Sequence, residues 1–211
     1  MVHINSLTDG FKTFKATTLK HHQNLIAHLL EQGHKPTTLF IAGSEMRVSP
    51  DLLTSCKPGD LYVVRNIAGM VPPYKSTGAN GVISAIEHAV CRLHVENIVL
   101  VGNAFSTAVK TLMADDFNPD DKSDNIAQWL SVGLDARNAV KEQLSHLSQE
   151  EQERACEQEI LLVSLRNLLG YPWIMEKVEK KELALYAWHF NIRSGELLSF
   201  NPSSGIFENI G

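Results

Sequence analysis

His88, Cys91 and His94 recur every three residues, and imidazole and thiolate side chains at helical spacing are candidates to hold a metal ion. At ~100° per residue the three would span roughly 120° of one helix, so the same pattern also describes a face that simply packs. His21, His22 and His28 form a second histidine group, read as surface or subunit contacts or, failing that, metal ligands. Two further sets carry chemistry. Ser44, Glu45 and Arg47 follow one apolar run, and Asn103 and Ser106 follow another. Glu45 and Arg47 would make a charged pair whose guanidinium could hold bicarbonate, acetate or phosphate, or a pair that braces two loops. Ser44, Asn103 and Ser106 would add polar groups to the same pocket, and His34 is a candidate for its mouth.

The elements that must position these residues alternate. Residues 1–34 read as helical, with Leu25, Ile26, Leu29 and Leu30 at helical spacing and Gly33 and Pro36 as stop signals. Residues 38–43, 61–64 and 98–102 are short continuous apolar runs, read as buried strands. Residues 50–53, 81–94 and 106–113 read as helices between them. A Gly/Pro-rich loop runs from Arg65 to Asn80, and an acidic, turn-rich loop covers 115–125. Residues 126–169 read as helical with a break near Ser148, and Gln149 to Glu153 as an exposed helix face. Leu183 to Ile192 turns at Ser194-Gly195 into a hairpin partner, 196–200. The sum predicts an α/β fold with a mainly parallel sheet of about four strands, an antiparallel fifth, flanking helices and an N-terminal helical arm. One domain spans 1–211, with the arm at 1–35 and the core at 36–211. In such sheets ligands bind beyond the carboxyl ends of the strands, which here are segments 43–47, 65–69 and 102–106.

Composition narrows the function. The 211 residues carry a net charge of −5 and no long basic block, which argues against nucleic-acid binding. No run of 18 apolar residues predicts a membrane span, and the first residues lack the pattern of a signal peptide. Cys56, Cys91 and Cys156 form no Cys-x-x-Cys pair and are odd in number. Free thiols in a reducing, cytoplasmic compartment are the expectation.

Four stretches then resemble the β-class carbonic anhydrases. The arm 7–14, Leu-Thr-Asp-Gly-Phe-Lys-Thr-Phe, looks like that family's opening helix. Residues 65–74, Arg-Asn-Ile-Ala-Gly-Met-Val-Pro-Pro-Tyr, are close to its Arg-Asn-Val-Ala-Asn-x-Val-Pro-Pro-Tyr loop. Residues 85–90, Ala-Ile-Glu-His-Ala-Val, resemble its Ala-x-Ile/Leu-Glu-Tyr/Phe-Ala-Val helix. Residues 185–197 resemble its Leu-His-Gly-Trp-x-Phe-Asp-Ile hairpin.

The resemblance implies a zinc enzyme with a Cys-x-Asp-x-Arg motif after the first strand and His-x-x-Cys after the third. Three protein ligands leave a fourth position for a water of lowered pKa. This chain reads Gly43-Ser44-Glu45-Met46-Arg47 and Asn103-Ala104-Phe105-Ser106 at those places. The ligand positions thus hold Gly43, Asn103 and Ser106, and the dyad beside them survives as Glu45 and Arg47. The expectations are a site without zinc or other cofactor and loss of carbon dioxide hydration. An anion-binding, regulatory or partner-subunit role is expected in its place. The alternative is an enzyme of the same family using a non-standard or metal-free site built on Glu45, Arg47 and His34. The resemblance also implies a homodimer or dimer of dimers, clasped by the arms, or assembly with an active paralogue.

Overall fold

The structure is a computed structural model that describes residues 3–74 and 80–210; residues 75–79, part of the loop expected from Arg65 to Asn80, lie outside it. The arm is three helices, α1 (Ile4–Ala16), α2 (Thr18–His21) and α3 (Gln23–Gln32). α1 begins at Ile4 and buries none of its residues. α3 stops at Gly33, whose φ of 76° suits a residue without a Cβ.

The core alternates as expected: β1 (Thr38–Gly43), α4 (Pro50–Thr54), β2 (Leu61–Asn66), α5 (Gly81–Glu87), β3 (Asn97–Asn103) and α6 (Thr107–Met113). Four helices follow, α7 (Asn125–Leu130), α8 (Leu134–Gln143), α9 (Gln149–Leu169) and α10 (Pro172–Glu179). β4 (Ala184–Phe190), β5 (Leu197–Asn201) and β6 (Ile206–Asn209) complete the sheet. Its order is β2-β1-β3-β4-β5-β6. The first four strands are parallel and the last two antiparallel. The sheet therefore has one strand more than predicted. β6 was missed because four residues with a single half-buried ring, Phe207 against Phe200, give almost no period-2 signal. α10 was also missed, although Pro172 opens it at the first helical position.

The two central parallel strands, β1 and β3, are apolar on both faces because both faces are covered. On one side Leu39, Ile41, Ile98 and Leu100 pack with Ile86, Val90, Leu161, Leu168, Tyr171 and Ile174. Val101, Phe40 and Val99 form the other side with Met46, Trp188 and Phe190. α9 lies so close to β3 that a Cβ on Gly102 would stand 3.1 Å from Leu161 Cδ1.

The expected helix 81–94 is not uniform. Asn80 caps α5 by accepting from the N–H groups of Val82 and Ile83. From His88 to Arg92 the helix then widens to a π turn, with the Leu93 N–H bonded to the His88 carbonyl. The wider turn breaks the 100° phase, and His94 leaves the helix altogether at a φ of 56°. His88, Cys91 and His94 therefore do not share a face, and no cluster of three or more His, Cys, Asp or Glu able to hold a metal exists among the described residues.

Candidate functional site

The carboxyl ends of β1, β2 and β3 converge, and the chain segments that leave them build the site. Arg65, the second-last residue of β2, straps the turn after β1. Its Nε donates to the Gly43 carbonyl at 3.1 Å, and its Nη2 donates to the Ser44 carbonyl at 3.2 Å and to that of Met46. The turn after β2 stacks on the same strand end. Gly69 sits at a φ of 66°, and a Cβ there would stand 3.1 Å from Ala42 C and Gly43 N. Trp129 of α7 holds this turn by donating from its indole to the Ile67 carbonyl at 2.8 Å.

Glu45 reaches across from this strapped turn to the start of α6. Its carboxylate accepts from Ser106 Oγ at 2.5 Å, the Thr107 N–H at 3.0 Å, Thr107 Oγ1, and the Ala108 N–H at 3.4 Å. Partial burial pushes the Glu45 carboxyl up, but hydrogen bonds from Ser106, Thr107 and Ala108 outweigh it and hold the group below its ordinary value. The carboxylate is thus ionised at neutral pH and already well solvated by protein.

A second carboxylate lies beneath. Glu157 of α9 is fully buried. Its Oε1 accepts from the Ser106 N–H at 2.9 Å, and its Oε2 lies 3.0 Å from His189 Nε2 of β4. Arg154 Nη1 stands 2.8 Å from Glu157 Oε1, an ion pair without hydrogen-bond alignment. The Arg154 guanidinium covers one approach to Phe105 at 4.4 Å from the ring centroid, and Arg193 covers it at 4.3 Å. Phe105 itself has a φ of 63°, a left-handed conformation unusual for an aromatic residue.

Several expectations need correction. Glu45 and Arg47 do not pair: among the described residues Glu45 forms no ion pair with Arg47, whose side chain is exposed beyond the turn. The longer glutamate arm finds the start of α6 instead. His34 is not at the mouth. It precedes β1, at the amino end of the sheet, with its ring 6.2 Å from that of Tyr62. The length of β1, roughly 16 Å, separates it from the strand end. The 149–153 stretch is not wholly an exposed face, since Glu153 is buried with Glu157 one turn further on. Gly43, Asn103 and Ser106 are brought together. A Cβ on Gly43 would stand 2.9 Å from Asn103 Oδ1, and the Ser106 hydroxyl points to Glu45. Ser44 is exposed at the edge of the group, its N–H bonded to the Asn66 carbonyl.

Sequence reasoning missed Glu157, His189, Arg154 and Arg193. Charges in a polar helix give no signal of burial, because the groups that hydrogen-bond Glu157, His189 and the Ser106 N–H, lie 32 and 51 positions away. Fully buried acidic residues are nonetheless rare unless paired.

Fold and site define an α/β protein with its functional surface where parallel strands meet three loops and a helix start. The carbonic anhydrase family profile matches residues 38–197, and the chain belongs to that family. Beta carbonic anhydrase 3 of Arabidopsis thaliana is 35% identical over 193 residues, 91% of this chain and 74% of that protein. The solved structure of the β-carbonic anhydrase CcaA superposes with a TM-score of 0.92 at 30% identity, covering 99% of this chain and 100% of the other. A structure of two tetrameric β-carbonic anhydrases from Sordaria macrospora shares the fold at 24% identity. It has a TM-score of 0.79 and covers 93% of this chain and 98% of that one.

Membership corrects the expectation that no cofactor is involved. β-Carbonic anhydrases are zinc enzymes, and zinc is the cofactor that the family and these relatives imply. The side chains of Gly43, Asn103 and Ser106 do not fit a three-ligand zinc site: one has no donor, one is an amide, and one hydroxyl is engaged by Glu45. No helix among the described residues is long and apolar enough to cross a membrane.

Proposed function

We propose that this chain is a carbonic anhydrase-fold pseudoenzyme. In this reading it lacks the Cys/His/Cys ligand set and the standard carbon dioxide hydration activity, and it serves as an anion-binding, regulatory or partner subunit. The observation that carries the reading is the hydrogen bonding of Glu45 to Ser106. A hydroxyl at a ligand position is tied to a carboxylate of the turn rather than open to a reacting group. Arg47, exposed and unpaired with Glu45, is the guanidinium available to a small anion such as bicarbonate, with Ser44 beside it. The alternative, non-standard or metal-free chemistry by Glu45, Arg47 and His34, has less support because His34 lies at the other end of β1.

The proposed assembly is a homodimer or dimer of dimers, or a mixed oligomer with an active paralogue, without nucleic acid or membrane as partner. Ile4, Leu7, Phe11 and Phe14 on α1 support it, because all are exposed in the single chain. The chain acts as one unit over 1–211, arm 1–35 and core 36–211. Three free cysteines suit a reducing compartment such as the cytoplasm.

Stopped-flow hydration of carbon dioxide, measured on protein supplied with zinc, tests the reading. The expected rate is the uncatalysed background. A zinc-dependent rate far above it would overturn the proposal. The variant carrying Gly43→Cys, Glu45→Asp, Asn103→His and Ser106→Cys should gain stoichiometric zinc, read by elemental analysis.

A further inference from the structure

We infer that Glu45 is a covalently anchored crosslink that ties the turn after β1 to the start of α6. It does by hydrogen bonding what protein ligands from those two segments do when they share a metal ion. The inference deepens the proposed function, since it rests on reading these segments as the rebuilt site. Two facts carry it. The turn end is rigid, because Arg65 bonds the carbonyls of Gly43, Ser44 and Met46. The α6 end offers donors from three consecutive residues, and one carboxylate accepts all of them: Ser106 Oγ, Thr107 N and Oγ1, and Ala108 N.

The geometry depends on the length of the side chain. An aspartate would end short by one carbon–carbon bond of about 1.5 Å, which takes bonds of 2.5 to 3.4 Å beyond hydrogen-bonding range. Glutamate at 45 is therefore no loose stand-in for a shorter acid. The added methylene makes the crosslink possible. It also explains why Glu45 leaves Arg47 unpaired.

Glu45→Ala, Glu45→Asp and Glu45→Gln test this in the full chain, each measured with zinc supplied and with chelator. The readouts are Tm and amide hydrogen exchange at Thr107 and Ala108. Alanine and aspartate should both lower Tm by about 3–8 °C and speed exchange at the two amides on the order of tenfold. Glutamine, of native length but uncharged, should lose roughly half as much. The losses should be the same in both buffers. Aspartate as stable as glutamate would overturn the inference, because charge near α6 rather than reach would then suffice. A loss abolished by zinc would also overturn it. The hydration assay separates the two claims: rapid hydration with these Tm losses sinks only the functional proposal, and unchanged Tm without hydration sinks only the crosslink.

Discussion

Glu45 links residue chemistry to a pH dependence. Its carboxyl is held below the ordinary value of 4.5, with burial opposing and the Ser106, Thr107 and Ala108 hydrogen bonds prevailing. A group whose folded pKa is depressed stabilises the fold in full above its unfolded pKa and loses that contribution as pH falls through the folded value. The Tm difference between the native chain and Glu45→Gln should therefore be constant above pH ~5 and shrink towards zero in more acidic buffer. A difference that persists below the folded pKa of Glu45, read by NMR titration of its carboxyl, would show that the bonds do not depend on ionisation. The cysteines behave differently. Cys156 is buried and pushed up to about 12, first by desolvation and then by the neighbouring Glu157 and Glu159 carboxylates, so its thiol is packing material rather than a nucleophile.

α9 is the element that carries the buried charge. Its sequence from Gln149 to Glu159 is polar apart from Ala155 and Cys156, yet Leu161 and Glu157 meet the sheet while Cys156 and Ile160 pack with α6 and α8, and Glu153 is buried as well. Glu157 then bridges three elements: α9 through Arg154, β4 through His189, and the start of α6 through the Ser106 N–H. Such a pair is weak evidence of net stability, but removing one member leaves the others uncompensated. Glu157→Gln should lower Tm on the order of 10 °C, measured by calorimetry. An unchanged Tm would mean that Arg154 and His189 readjust freely. β1 was legible to the residue and β2 and β3 to within two residues at an end, because parallel strands read as continuous apolar runs. β6 and α10 were not, because each is short and takes its stability from neighbours.

At the scale of the molecule, the arm is the unresolved account in one subunit. α1 presents Ile4, Leu7, Phe11 and Phe14 to solvent, with the two rings 6.4 Å apart, and none of the described residues buries them. Burial of four such side chains contributes roughly 6–12 kcal/mol per arm, enough to hold two subunits together. The double variant Phe11→Asp, Phe14→Asp should shift the native mass towards the monomer in light scattering after gel filtration. A native chain that is already monomeric at micromolar concentration would remove the assembly proposal.

The sequence by itself determined the family, the α/β order and which loops meet at the site, because apolar runs and motif order are local properties of the chain. It also placed Gly43, Asn103 and Ser106 where the resemblance implies the zinc ligands. Only the tertiary structure decided what those residues do. Whether Glu45 pairs with Arg47 or with Ser106 and Thr107 depends on where a strapped turn points, and on whether one methylene spans the gap to α6. Whether Glu157 is solvated or buried depends on the side of α9 that meets β3 and β4. His34 lies near β1 in sequence but at the wrong end of it in space. These outcomes are set by distances between residues far apart in the chain, which no local pattern encodes.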